Sequence, residues 1–546
     1  MAATHDGAPA AEAEAPTEAS PLLAAARKHL DRSSAGHGHG STLAHGGQAM
    51  ATKMHLFIPA VGVGIYLVAV DQLLTVAAYA KIGNELNSLN NMSWVATSFF
   101  LTLTSSQPLY GKLSDVFGRK ECLLFSYAVF AVGCLGCGLA RDIVQLCVSR
   151  AVAGIGGGGM NAVVSIILSD LVPLRERGVW QGYLNVIYAA GSSTGAPVGG
   201  LFADSIGWRW SFLAQVPLCC VAWLAVYCFL DMPHRADSDW RANMRKVDFL
   251  GASTLVAAVL ALLVGLDFGS NFGWCHLATV VCLAAAPVLF ALLVFVEARV
   301  ATHPFAPAHV IFDRGLIAGY LTNFFGVGSY FAVLFFLPLS FQAGEGFNAA
   351  TSGALLVPGM VAGVSASVTG GWLIKRTGKF YAVTILSYGV LAFSILPLAL
   401  SVWLEATAAE VMTFVLVAIG SGSGLTTTLT GLLANAATED TAVVVACSYL
   451  FRSLGSSIAI SLSSAALQQV LRAQLASRLP SSEDARLIEE RVRQNIDCIK
   501  SLPPPVASAV RASYRVATIG ALAPALLMAV VALLATFWVR KKTLAS

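Results

Sequence analysis

Between two long apolar stretches the chain reads GKLSDVFGRK, residues 111–120, which packs four charges, Lys112, Asp115, Arg119 and Lys120, into ten residues with Gly111 and Gly118. Charge is scarce elsewhere. The chain has 546 residues, 56% of them hydrophobic and 12% charged, and a mean hydropathy of +0.71. A soluble domain carries roughly 25% charged residues. The apolar residues run in stretches long enough for helices that cross a bilayer, which takes about 20 residues each, and the ten-residue alternation of a membrane barrel is absent. The composition predicts an all-α polytopic membrane protein, in which 111–120 is a short loop between spans.

Fourteen apolar spans are legible, at about 55–80, 93–111, 121–140, 143–168, 179–203, 208–230, 248–268, 276–297, 314–340, 351–374, 380–400, 409–431, 442–465 and 513–539. An even number puts both termini on one side. With a cytosolic N-terminus, the cytosolic loops carry Lys112, Arg119, Lys120, Arg175, Arg177, Lys375, Arg376 and Lys379, against Lys81, Arg141 and Arg209 in the short loops opposite. That asymmetry is the positive-inside pattern. A long lumenal loop at about 466–512 carries many charges, but long loops report orientation poorly.

The loop recurs. GWLIKRTGKF, residues 371–380, follows the tenth span as GKLSDVFGRK follows the second, with Gly111, Leu113, Gly118 and Arg119 matched by Gly371, Leu373, Gly378 and Lys379. Two halves of six spans with two between them give a six-plus-two-plus-six plan: residues 1–54 a disordered tail, 55–230 one six-helix bundle, 231–300 a linker with two extra helices, and 301–546 a second bundle. Internal duplication of this kind is a transporter feature.

GKLSDVFGRK resembles the signature loop of the major facilitator superfamily. The resemblance implies a gate built from Gly111, Asp115, Gly118, Arg119 and Lys120, which holds the two halves together on the cytosolic side and opens during alternating access. By spacing, Asp115 and Arg119 can pair across one helical turn, and Gly111 can admit a close neighbour. SRAVAGIGGGGMNAVV in the fourth span and GSSTGAPVGG (191–200) in the fifth are similar to two further motifs of the family. The second is its glycine-rich antiporter motif, carried here by Gly191, Gly195, Pro197, Gly199 and Gly200, with Ala196 where the family usually has proline. AVDQLLTVAAYAKIGNEL resembles the Asp-bearing first helix of the fourteen-span drug:proton antiporter branch. Within it, SWVATSFFLTLTSSQPLYGKLSDVFGRK and VPLRERGVWQG resemble fungal vacuolar basic amino acid transporters. The likeness covers about 55–540.

An ionisable group inside a span is costly unless paired or hydrated, and marks a functional site by default. Asp71 in the first span and Arg150 in the fourth form the candidate proton-coupling pair; the alternative is a static ion pair joining two helices. Asp71 could also meet a cationic substrate directly. Arg452 in the thirteenth span contacts a substrate carboxylate or pairs within its own half. Gln72, Asn185, Tyr188, Asn323 and Tyr330 fall on helices that line the transport cavity in this superfamily. Asp267 reads as interfacial, and Cys134 and Cys137 as core packing.

The N-terminal segment has no signal-peptide core, and its His37, His39 and His45 read as part of a solvated tract. Glu18, Leu22 and Leu23 in EASPLL fit an acidic dileucine sorting signal for a cytosolic adaptor. Asn91-Met92-Ser93 is a glycosylation sequon close against the second span. No nucleophile–base set, metal-ligand cluster, cofactor motif or nucleic-acid patch is legible, and GIGGGG lies inside a span rather than between strand and helix. An enzyme is therefore not expected. The reading is a monomeric proton-coupled antiporter that moves basic amino acids from cytosol to vacuole across the vacuolar membrane. A multidrug or toxin exporter at the plasma membrane is the alternative of the same class. A non-transporting nutrient sensor, for which the short tails argue poorly, is the alternative of another.

Overall fold

A computed structural model of the chain describes residues 40–171, 174–230, 249–300, 308–437, 440–478 and 483–541. The sorting motif Glu18, Leu22 and Leu23 and the expected disordered tail up to residue 39 lie outside these residues, as do the side chains of Asp115 and Asn185. The chain divides into two compact units, 1–58 and 59–546. The first is helical from Gly40 onward; everything below concerns the second.

All regular structure in the described residues is helical. The long helices are α1 (Gly40–Glu85), α2 (Ser93–Phe117), α3 (Arg119–Leu139), α4 (Ile143–Leu171) and α5 (Leu174–Ser205). They continue with α6 (Trp208–Leu213), α7 (Gln215–Phe229), α8 (Phe249–Phe272), α9 (Leu277–Phe295), the short α10 (Ala308–Ile311) and α11 (Ile317–Leu339). The remainder are α12 (Ala349–Thr377), α13 (Phe380–Trp403), α14 (Thr407–Asn435), α15 (Thr441–Arg478), α16 (Glu483–Gln494) and α17 (Pro504–Thr536). Helix stands at each of the fourteen expected positions, and among the described residues eleven helical segments, with α6 and α7 taken as one, are long and apolar enough to cross a membrane. One expected span arrives as two pieces, α6 and α7. Pro217 has no N–H to return to the preceding turn, and the helix breaks at Ala214.

The expected lumenal loop at 466–512 is largely helical instead. α15 runs on to Arg478, α16 follows, and α17 begins at Pro504. The stretch AALQQVLRAQLASR is rich in strong helix formers, so the helix continues past the apolar segment.

The duplicated loops have a common backbone reason. α2 ends at Phe117 and α3 begins at Arg119, with Gly118 between them at φ +99°. α12 ends at Thr377 with Gly378 at φ +67°, its N–H bonded to the Ile374 carbonyl. Both turns need the left-handed side of φ that glycine enters at little cost.

Among the helices before α8, α2 packs on α4, and α3 on α4 and α7; among those after α9, α13 packs on α14, α12 on α14, and α11 on α15 and α17. The two sets meet along α5–α12 and α2–α15. α8 lies against both α2 and α15, where Leu101, Leu255, Val259, Leu263, Leu450 and Leu454 form one apolar cluster. α9 packs on α8 and is otherwise mostly exposed.

Candidate functional site: a buried ion pair beside the inter-helix seam

The glycines of GSSTGAPVGG bring α5 onto α1 backbone to backbone. A Cβ added at Gly191, Gly195 or Gly199 would come within 2.6, 2.7 and 2.1 Å of the carbonyl oxygens of Tyr66, Val70 and Leu74. The fourfold spacing on α5 meets a fourfold spacing on α1, so one face of each helix is in contact. Gly200 faces away, toward the Ala349 carbonyl at the start of α12. Pro197 lies inside α5. In α4, Gly154 and Gly158 lie against α2 at Phe99 and Leu103, while Gly156 lies against α3 at Phe130. This packing lets Arg150 reach inward.

Arg150 and Asp71 meet there. The guanidinium donates to Asp71 Oδ2 through Nη1, to the Asp71 carbonyl through Nη2 at 3.5 Å, and to the Val95 carbonyl through Nε at 3.2 Å. Asp71 is 0% and Arg150 1% exposed. Gln215 of α7 donates to the other carboxylate oxygen, Oδ1, at 3.2 Å. The Phe99 ring covers the guanidinium at 4.3 Å, and Phe212 lies 5.7 Å away. The carboxylate is thus held by one charge and one amide, as a buried charge requires. Around it Thr75 Oγ1, Ser211 Oγ and Gln215 Oε1 are buried without a hydrogen-bond partner. Such groups suit ordered water.

Asp71 and Gln72 are adjacent, and on a helix adjacent side chains diverge by about 100°. Asp71 points into the bundle formed with α4 and α7; Gln72 points to the seam and accepts a hydrogen bond from Tyr188 at 2.6 Å. Arg452 and Tyr449 of α15 are close enough to Tyr188 to act on it electrostatically, and Tyr188 is likewise close to Tyr330 of α11. The Arg452 guanidinium lies over the Tyr449 ring at 4.8 Å, and Tyr330 stacks on Phe414 at 6.4 Å. A polar cluster of Gln72, Tyr188, Tyr330 and Arg452 therefore stands at the seam. Asp71 is sealed and paired with Arg150 and Gln215, apart from the Gln72–Tyr188 contact. Asn323 is 0% exposed and donates to Ser448 at 2.8 Å, so it joins α11 to α15.

In the 111–120 loop the Arg119 guanidinium donates to Ser114 at 2.5 Å, and Ser114 to the Gly111 carbonyl at 2.8 Å. Lys120 donates to the Tyr227 carbonyl at 2.9 Å. Gly111 is not in a tight contact, since a Cβ there would meet only Ile166 Cδ1, at 4.0 Å. At the opposite end, Glu85 accepts from Trp208 Nε1 at 2.7 Å and from Arg209. Among the described residues, hydrogen bonds join the two sets of helices at this Glu85 end. Asp204 accepts from the Ala350 N–H at 2.6 Å, Gln342 donates to the Ala77 carbonyl at 3.2 Å, and the Ile496 N–H donates to Asn84 Oδ1 at 2.7 Å.

Gln215 went unread in the sequence because a neutral amide in an apolar span carries no charge signal. Asn84 and Asp204 sit at helix ends, where polar residues are ordinary.

The chain is similar to the "Vacuolar membrane amino acid uptake transporter fnx2" of Schizosaccharomyces pombe, 37% identical over 457 residues, covering 83% of this chain and 78% of the relative. It is 34% identical to the "Multidrug resistance protein fnx1" of the same yeast, over 86% of this chain and 89% of the relative. It is 30% identical to the "Vacuolar basic amino acid transporter 2" of Saccharomyces cerevisiae, over 78% of this chain and 93% of the relative. The family model described as Major Facilitator Superfamily matches residues 61–460. The family model, which takes in the buried Asp71–Arg150 pair and the glycine-packed α1–α5 contact, and the vacuolar amino acid transporter relatives together show that the chain belongs to the Major Facilitator Superfamily of membrane transporters.

Proposed function

We propose that this transporter is a proton-coupled antiporter that carries basic amino acids from the cytosol into the vacuole. The observation that carries the reading is the Asp71–Arg150–Gln215 cluster, a titratable carboxylate sealed beside the seam and ringed by unpartnered polar atoms. Protonation of Asp71 removes its attraction for Arg150. The freed guanidinium must then find other partners, which ties proton occupancy to how α1, α4 and α7 pack. The names of two relatives, a vacuolar amino acid uptake transporter and a vacuolar basic amino acid transporter, support the solute class and the membrane.

In this reading the chain crosses fourteen times with both termini cytosolic, as 55–230 and 301–546 with two extra helices between, and the Glu85 end faces the lumen. The 111–120 loop is the cytosolic gate. Arg452 takes the α-carboxylate of the solute, and the aromatic faces of Tyr188, Tyr330 and Tyr449 take its cationic end.

The test is uptake of radiolabelled lysine, arginine and histidine into acidified vacuolar vesicles. ATP-dependent uptake that collapses with a protonophore and in Asp71→Asn is expected. If well-expressed wild-type protein takes up none of the three, the amino acid assignment fails.

A second reading keeps the machine and changes the cargo to apolar drugs or toxins. It is favoured by the aromatic lining at Tyr188, Tyr330, Phe414 and Tyr449 and by the likeness to the multidrug resistance protein. Drug extrusion by vesicles inert toward amino acids would select it.

A further inference from the structure

The segment joining α11 to α12, together with the first turn of α12, works in two directions at the Glu85 end. Toward the first six spans it supplies the Gln342 amide to the Ala77 carbonyl and the Ala350 N–H to Asp204, and the Ala349 carbonyl closes on Gly200. Toward its own set it is moored by Glu345, whose Oε2 accepts from the Thr407 hydroxyl at 2.6 Å. Beside it stands Glu410, in the first turn of α14 and 1% exposed, near enough to Glu345 to interact with it directly. Each carboxyl group has one buried oxygen without a hydrogen-bond partner, Oε1 on Glu345 and Oε2 on Glu410.

An ionised carboxylate only accepts hydrogen bonds; a protonated one also donates. Two ionised carboxylates in contact, each with a buried oxygen, therefore leave both orphan oxygens unsatisfied, whereas a single proton lets one donate to the other. The other charged groups around the pair do not supply that proton's role. Arg515 of α17 is the basic group that acts on Glu410, and it is ion-paired with Glu405, at the head of α14. Glu405, Arg511 and Arg515 of this end, with Arg478 from the end of α15, line a cavity of about 870 Å³ that also includes Glu345. The cavity gives protons a route to the pair.

We propose that Glu345 and Glu410 form a second proton site, which holds one exchangeable proton between them and so keeps the α11–α12 segment closed on the first six spans. Loss of that proton leaves two like charges in contact and a segment pushed off its mooring at Thr407. Because the closed arrangement binds the proton more tightly than the open one, acid on this side favours closure; the reverse follows by linkage. That this side is the acidic lumen rests on the orientation proposed above. The site itself does not.

Two measurements on the purified full-length chain in nanodiscs test this without any transported solute. Infrared difference spectra across a pH titration are expected to show the C=O stretch of a protonated carboxylic acid in wild type, lost on alkalinisation and missing in Glu410→Gln. Spin labels on Ser205→Cys and Thr351→Cys, both exposed, are expected to move apart as pH rises in wild type. In Glu410→Gln and in Glu345→Gln, where the amide can donate at every pH, the labels are expected to stay at the short distance throughout. A wild-type spectrum with no such band, or label distances that respond to pH in both Gln variants as in wild type, would overturn the proposal. Failure of amino acid uptake with both signals intact would remove the cargo assignment and leave the proton site standing.

Discussion

A single carboxylate decides how the helices before α8 are read. Asp71 has Arg150 and Gln215 as partners and no exposure, so removing its charge leaves a guanidinium buried and uncompensated. Breaking one side of a buried pair costs roughly 3–5 kcal/mol. Asp71→Asn is expected to lower thermal stability by about that amount and to abolish proton-driven uptake. Asp71→Asn combined with Arg150→Gln is expected to regain most of the stability and none of the uptake, measured by thermal unfolding and vesicle flux on the same preparations. If the double variant transports, the pair only joins helices. At the seam, Arg452→Gln is expected to raise the KM for amino acids about tenfold or more while leaving the unfolding temperature close to wild type, as loss of a charged contact of roughly 1.5–3 kcal/mol would do. The presence of Asp71 and Arg150 was legible because charge stands out in an apolar span. That Asp71 turns inward while Gln72 turns to the seam was not, since helical phase relative to the neighbours is set by packing and no residue states it.

At the scale of elements, the sequence pattern located helices but not their ends or breaks. Hydropathy falls off where the bilayer stops, while helix propensity need not, so α15 runs to Arg478 and α17 starts at Pro504, inside a stretch read as loop. The glycine spacing of α5 was legible as a motif, and its cause is the carbonyl row of α1 at Tyr66, Val70 and Leu74. Gly195→Val is therefore expected to force α5 away from α1, with a loss of about 1–3 kcal/mol as for overpacking elsewhere. Gly389→Val, where nothing lies within 4 Å of an added Cβ, is the control expected to be near neutral. Comparing the melting temperatures of the two in detergent checks it. The internal repeat was legible down to Gly118 and Gly378, because a positive φ leaves few residue choices.

For the molecule as a whole, transport by alternating access requires the contacts at the Glu85 end to part. Cysteines replacing Asp204 and Ala350, whose side chain and backbone N–H are 2.6 Å apart, are expected to abolish flux when oxidised and to recover it on reduction; undiminished flux in the cross-linked protein would show that this end does not open. The apolar runs of α8 and α9 were legible, but their seat was not, since nothing in an apolar run names its neighbour. α8 lies on both α2 and α15, where Leu101 and Leu450 share one cluster with Leu255. The two sides of the seam are thus unlike. A compound that approaches from the surrounding lipid would meet α8 before it met the α2–α15 contact.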